Sequence, residues 1–260
     1  MAQSAEAIGP AQDVLLSVEG VGKDFRHFTA VREVSLAVRR GELKAIIGPN
    51  GAGKTTLFNM LSGEIKPSRG RIVYRGEDIA HYPMHVLAHV GIGRSFQITN
   101  VFRGLTVLEN VRIAVQSKRH VNFDIVSSAS RLSETTEIAE QALATIGLTK
   151  YRATLASSLS HGDQRRLEIG IVLATDPELV LLDEPTAGMS REEARSTMEL
   201  IRNISATRTV LFVEHNMEFV MGISQSVIVM QSGQVIAEGT PAEIRASEEV
   251  RHAYLGSLYE

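Results

Sequence analysis

Short apolar runs bounded by glycine, proline and charge recur through the first part of the chain, at residues 14–18, 34–38, 43–47 and 71–74. Their β-branched content predicts strands joined by turns. Residues 48–53 are turn-forming, and 54–62 then carry a compact helical pattern stopped by Gly63 and Pro67, so strand, glycine loop and helix are expected in succession. From about 98 to 157 the period changes. Thr106 and Glu109 have capping-box spacing, and Ile138, Ala139, Ala142, Leu143 and Ile146 fall on one helical stripe, which predicts an inserted helical block. Two buried-looking runs return at 179–182 and 209–213, with a helical pattern between them that opens at a second capping box, Ser190 with Glu193. Strands alternating with helices imply a parallel sheet. Residues 226–239 read as a hairpin around Ser232 and Gly233, and the tail to 260 as short amphipathic helices.

Composition narrows the function. With 43% hydrophobic residues in 260, the chain can bury a core, and one nucleus with an insertion is expected. The balance of 27 Lys plus Arg against 30 Asp plus Glu, net −3, gives no electrostatic reason to bind a polyanion, so nucleic acid is not an expected partner. The absence of cysteine excludes disulfides, Cys-ligated zinc and thiol catalysis, and fits a reducing compartment. No basic residue precedes Lys23 and Glu6 interrupts the first apolar stretch, so no secretory signal is expected. A membrane span is not expected either, because the apolar run around 179–182 is preceded by Asp176, Pro177 and Glu178; any membrane role must pass through a partner.

The chemistry concentrates after the third predicted strand. Gly48, Pro49, Asn50, Gly51, Ala52, Gly53, Lys54 and Thr55 match G-x-x-x-x-G-K-[ST], placed between a strand and a helix as that motif requires. The glycines let backbone N–H groups converge on phosphate oxygens, and the helix N-terminus adds its positive end. Lys54 reaches the terminal phosphates and the Thr55 hydroxyl can ligate Mg²⁺. Residues 178–184 form an apolar strand ending in Asp183 and Glu184. Adjacent acids at a strand end can divide the labour: Asp183 holding Mg²⁺ through water, Glu184 orienting or deprotonating the attacking water. Leu159, Ser160, His161, Gly162, Asp163 and Gln164 open a polar helix over 164–170, with Ser160 and Asp163 at capping-box spacing.

Taken in order, the Lys54 loop with Thr56, Gln97 after the strand-like 92–96, the Ser160 to Gly162 helix start, Asp183 with Glu184, and Glu214 with His215 resemble the Walker A, Q-loop, signature, Walker B and H-switch elements of the ATP-binding cassette ATPases. That resemblance covers nearly the whole chain. It implies an α/β fold with a RecA-like P-loop NTPase parallel-sheet core, an N-terminal antiparallel β subdomain and an inserted α-helical subdomain. The implied unit runs over 12–257, with 12–97 and 158–240 as core, 98–157 as the helical block and 241–260 as a helical tail. It also implies ATP and Mg²⁺ as ligands, with Thr55, Gln97 and Asp183 at the metal, and Glu184 and His215 as the catalytic pair. The expected assembly is a head-to-tail dimer in which Ser160 and Gly162 of one subunit face the γ-phosphate in the other. The chain departs from the general signature with His161 and Asp163 in its third and fifth places; Asp163 also suits a purely structural cap. Phe25 stands where the family stacks an aromatic on adenine, with Phe28 close enough to serve instead.

Residues 91–97, 160–168, 187–189 and 253–256 resemble the ATPase subunits of importers for branched-chain amino acids and their relatives for urea and short amides. An ATPase for a lipid or lipopolysaccharide exporter is the further alternative. The importer reading implies two integral-membrane permeases, an external solute-binding protein and a place on the cytoplasmic face of the inner or plasma membrane. Val101, Phe102 and Leu105 are candidates for the apolar floor of the permease groove, or else for a plain subdomain core.

Overall fold

The computed structural model describes residues 13–95, 101–118 and 129–252, with backbone alone over 129–132. Gln97 and residues 253–256 therefore lie outside the described residues. The strands are β1 (Val14–Phe25), β2 (Phe28–Arg39), β3 (Leu43–Ile47), β4 (Arg69–Tyr74), β5 (Glu77–Asp78), β6 (Ile92–Arg94), β7 (Leu179–Asp183), β8 (Thr209–Val213), β9 (Ser226–Gln231) and β10 (Gln234–Gly239). The helices are α1 (Lys54–Leu61), α2 (Met84–Val90), α3 (Val107–Lys118), α4 (Ala129–Thr145), α5 (His161–Ala174), α6 (Arg191–Ser205), α7 (Met217–Ile223), α8 (Pro241–Ala246) and α9 (Glu248–Val250).

Two sheets form. The smaller is antiparallel in the order β2-β1-β4-β5, and the larger has the order β10-β9-β3-β8-β7-β6, parallel except for the β9–β10 hairpin. Every residue of β3, β7 and β8 is buried, which is why these strands read as continuous apolar runs. Alternation still decides which core each side chain joins. Ala45, Val180, Leu182, Val210 and Phe212 pack with α3–α7, whereas Ile46, Leu179, Leu181 and Leu211 pack with α1 and the small sheet. The fold is that of a P-loop NTPase. Its parallel order sets the C-terminal ends of β3, β7 and β8 side by side, so whatever follows those strands shares one rim.

Of the three pairs at capping-box spacing, two close in full, while Ser160 and Asp163 make only the N-cap bond. Thr106 and Glu109 exchange hydrogen bonds ahead of α3, and Ser190 and Glu193 do so ahead of α6. In the helical block, Ala139, Ala142, Leu143 and Ile146 are buried against α3 and α5, with Ile138 partly buried beside them. Among the described residues no helix is long and apolar enough to cross a membrane.

Candidate functional site

Residues 48–53 leave β3 and arch over the start of α1. Two glycines make that path sterically feasible: a Cβ on Gly53, at φ +94°, would stand 2.5 Å from the Ala30 carbonyl oxygen, and one on Gly48 would stand 2.1 Å from that of Met230. Gly53 is the N-cap of α1 and offers no side-chain cap, so the first-turn N–H groups stay available to an anion. Lys54, 5% exposed, folds back to donate from Nζ to the carbonyl oxygens of Gly48 at 2.7 Å and Pro49 at 3.0 Å. Burial lowers its pKa, opposed by the charges of Glu184 and Asp183. A cleft of about 550 Å³ lies over this loop, walled by Asn50–Thr56, Phe28, Glu184 and His215.

The adjoining strand ends supply the acids. Asp183 is 1% exposed; its Oδ2 takes a 3.2 Å bond from Arg94, while its Oδ1 is buried without a hydrogen bond from the protein. Burial raises its pKa, with Arg94 opposing most strongly. A carboxylate oxygen of this kind fits the hard-oxygen ligand set of a divalent cation. Glu184 has φ +46°, a left-handed conformation that costs a non-glycine residue about 1–2 kcal/mol. Its Oε1 lies 2.8 Å from His215 Nε2.

His215 is placed by its neighbour. The buried Glu214 carboxylate accepts from the backbone N–H groups of Thr186 (2.8 Å), His215 (2.9 Å) and Asn216 (3.2 Å), and from the Thr186 hydroxyl. It thereby locks the turn after β8 to the turn after β7. Arg94 is not marked as a site residue by local pattern, since its partners lie tens of residues away, and for Glu214, legible as the companion of His215, the bond to Thr186 is what the local pattern does not show.

Two placements refine the expectations. Phe28 lines the cleft, whereas Phe25 is not in its wall but stacks on Phe28, with ring centroids 5.5 Å apart and an interplanar angle of 25°. Ser160 and Gly162 do not line the cleft at all. Ser160 caps α5 instead, its hydroxyl accepting from the Asp163 N–H at 3.1 Å, so that helix begins at His161, earlier than the polar stretch from 164 suggests. The phosphate loop, Asp183, Glu184 and His215 are thus brought together in one chain, while the signature residues are exposed or buried elsewhere.

Comparison with known proteins agrees with this geometry. A sequence family described as ABC transporter matches residues 31–187. The chain belongs to the ABC transporter family. A second family, described as branched-chain amino acid ATP-binding cassette transporter, matches residues 234–259. The high-affinity branched-chain amino acid transport ATP-binding protein LivG of Salmonella typhimurium is 41% identical over 250 residues, covering 93% of this chain and 98% of that protein. Among solved structures, the ADP conformation of an ABC transporter cassette superposes with a TM-score of 0.82 at 29% identity, covering 95% of this chain and 100% of the other. A dimeric bacterial ABC transporter cassette gives 0.75 at 25% identity, covering 87% and 98%. As an ABC cassette, the chain is a nucleotide-binding ATPase of the transporter type.

Proposed function

We propose that this chain is the ATP-hydrolysing subunit of an importer for branched-chain or other hydrophobic amino acids. The observation that carries this reading is the 41% identity to LivG across 93% of the chain, joined by the match of residues 234–259 to a branched-chain amino acid cassette family. ATP enters the cleft with its phosphates over residues 48–56, and Lys54 exchanges the Gly48 and Pro49 carbonyls for the terminal phosphates. A magnesium ion held by Thr55, Asp183 and Gln97, partly through water, would neutralise charge on the β- and γ-phosphates. Glu184 accepts a proton from the attacking water as the water oxygen bonds to the γ-phosphorus and the bond from that phosphorus to the bridging oxygen breaks, ADP leaving with the electron pair; His215 keeps the carboxylate in place and meets the γ-phosphate edge. Ser160 and Gly162 act on the nucleotide of a second cassette, in a head-to-tail dimer.

The working unit is taken as 12–257, with 98–157 as the helical block that meets two permeases on the cytoplasmic face of the membrane, served by an external solute-binding protein. Phe102, 57% exposed, and the neighbouring Leu155, 47% exposed, offer that block an apolar face. The full chain is expected to co-purify with two multi-spanning permeases, and Phe102→Asp to break that association and uncouple branched-chain amino acid uptake from hydrolysis while ATP binding persists. Co-purification with ribosomes, DNA or a lipopolysaccharide exporter would overturn the assignment, and uptake of urea in place of amino acids would redirect it.

The stacked aromatic pair makes a separate expectation. Phe28, in the cleft wall, presents the face for adenine, with Phe25 as its backing. Loss of a base–aromatic stack costs about 1–3 kcal/mol, so Phe28→Ala should raise the ATP dissociation constant roughly five- to 150-fold, and Phe25→Ala by less. Equilibrium binding of labelled ATP checks the order of the two effects.

A further inference from the structure

A second arginine stands between the two halves of the proposed site. Arg165 lies on α5, five positions after the Ser160 cap, and is 5% exposed. A guanidinium is almost never buried this far unless its donors are used. One nitrogen, Nη1, meets the buried Glu168 carboxylate at 2.7 Å, which settles the charge. The other, Nη2, donates to the carbonyl oxygens of Asp183 at 2.5 Å and Glu184 at 3.1 Å. Those carbonyls flank the residue whose backbone is held in the left-handed region at φ +46°.

The consequence is mechanical. The turn that aims the Glu184 carboxylate closes on itself through the Ala187 N–H, which donates to the Glu184 carbonyl at 3.1 Å, and in addition its Asp183 and Glu184 carbonyls are held by a side chain that belongs to the signature helix. A displacement of α5 along its axis moves the guanidinium and with it the turn. We propose that Arg165 is a positioning residue that makes the aim of Glu184 in one site depend on whether Ser160 and Gly162, on the same helix, have engaged the γ-phosphate in the other site. The inference rests on the composite-site reading given above. It adds a reason why the two sites of a dimer would fire in concert: the helix that senses one nucleotide is fastened, through Nη2 of Arg165, to the backbone turn that carries the carboxylate acting on the other.

Lysine keeps the charge but has a single ammonium where arginine sets Nη1 on Glu168 and Nη2 on the two carbonyls, so Arg165→Lys cannot hold the carboxylate and the turn at once. The test uses the full chain, with labelled ATP and single-turnover hydrolysis, and compares Arg165→Lys, Ser160→Ala and the double variant. Arg165→Lys is expected to bind ATP within about twofold of the parent and to dimerise with it, while bond cleavage slows about 10- to 100-fold, the scale of a slightly misplaced reacting group. Because both residues act along one path, the double variant should cleave no more slowly than the slower single variant, rather than showing the product of the two losses. Parental cleavage in Arg165→Lys, or multiplicative losses in the double variant, would overturn the coupling. Parental cleavage in Ser160→Ala without ATP-driven dimerisation of the parent would instead sink the composite site itself, and the inference with it. Should Arg165→Lys fail to fold by circular dichroism, Arg165→Gln combined with Glu168→Gln leaves no buried carboxylate unpaired and carries the same expectation.

Discussion

Glu184→Gln should bind ATP like the parent and turn it over about 10²–10⁴-fold more slowly, the usual loss when a positioned general base is removed. The substitution keeps the size of the side chain and a polar atom for His215 Nε2, now 2.8 Å from Oε1, but it cannot take a proton from water. The phosphate cradle is untouched, since residues 48–56 and their glycine geometry lie on another strand end. Lys54→Ala makes the contrast: it removes the ammonium that the terminal phosphates require, and binding itself should fall. Paired measurements of the dissociation constant and the steady-state rate separate the two cases. A parental rate in Glu184→Gln would show that the carboxylate does no chemistry.

Ser160→Arg should abolish turnover while leaving the single chain able to bind ATP. Ser160 lies outside the P-loop cleft of its own subunit, so a bulky cation there reaches nucleotide only across a dimer interface. Among the described residues the hydroxyl accepts from the Asp163 N–H at the start of α5, and losing that cap costs about 0.5–2 kcal/mol. A slightly lowered melting temperature, normal ATP affinity and turnover at background are the expected triad of results. Unaffected turnover in pure Ser160→Arg protein would remove the composite site.

What the sequence made legible is what local chemistry forces. The phosphate loop is visible because a backbone arching over a helix start, with carbonyls 2.5 Å or less from where a Cβ would stand, demands glycine at set intervals. Strand ends carrying Asp183, Glu184 and His215 are visible because buried parallel strands are apolar throughout and stop at charge. Capping boxes at Thr106 and Ser190 are self-contained four-residue devices. Length was less legible: β1 and β2 run to 12 residues each where five were expected, because register shifts around Val18 and Val21 break the alternation without ending the pairing. The short helix α2 begins after Pro83 with no side-chain cap to announce it. Arg94, Arg165 and the anchoring role of Glu214 were not legible because the contacts that matter come from other elements. Arg94 meets Asp183 from 89 positions away, and Glu214 meets Thr186 from 28. That Phe25 and Phe28 stack on each other likewise shows only once the hairpin they share is folded.

Sedimentation of Glu184→Gln with and without ATP shows whether a second copy completes the site. Slowed hydrolysis should trap the closed form, so the account predicts a single-chain species without nucleotide, a two-chain species carrying two ATP molecules with it, and no such shift when Ser160→Arg is added. Saturating ATP bound to a chain that stays single would contradict it.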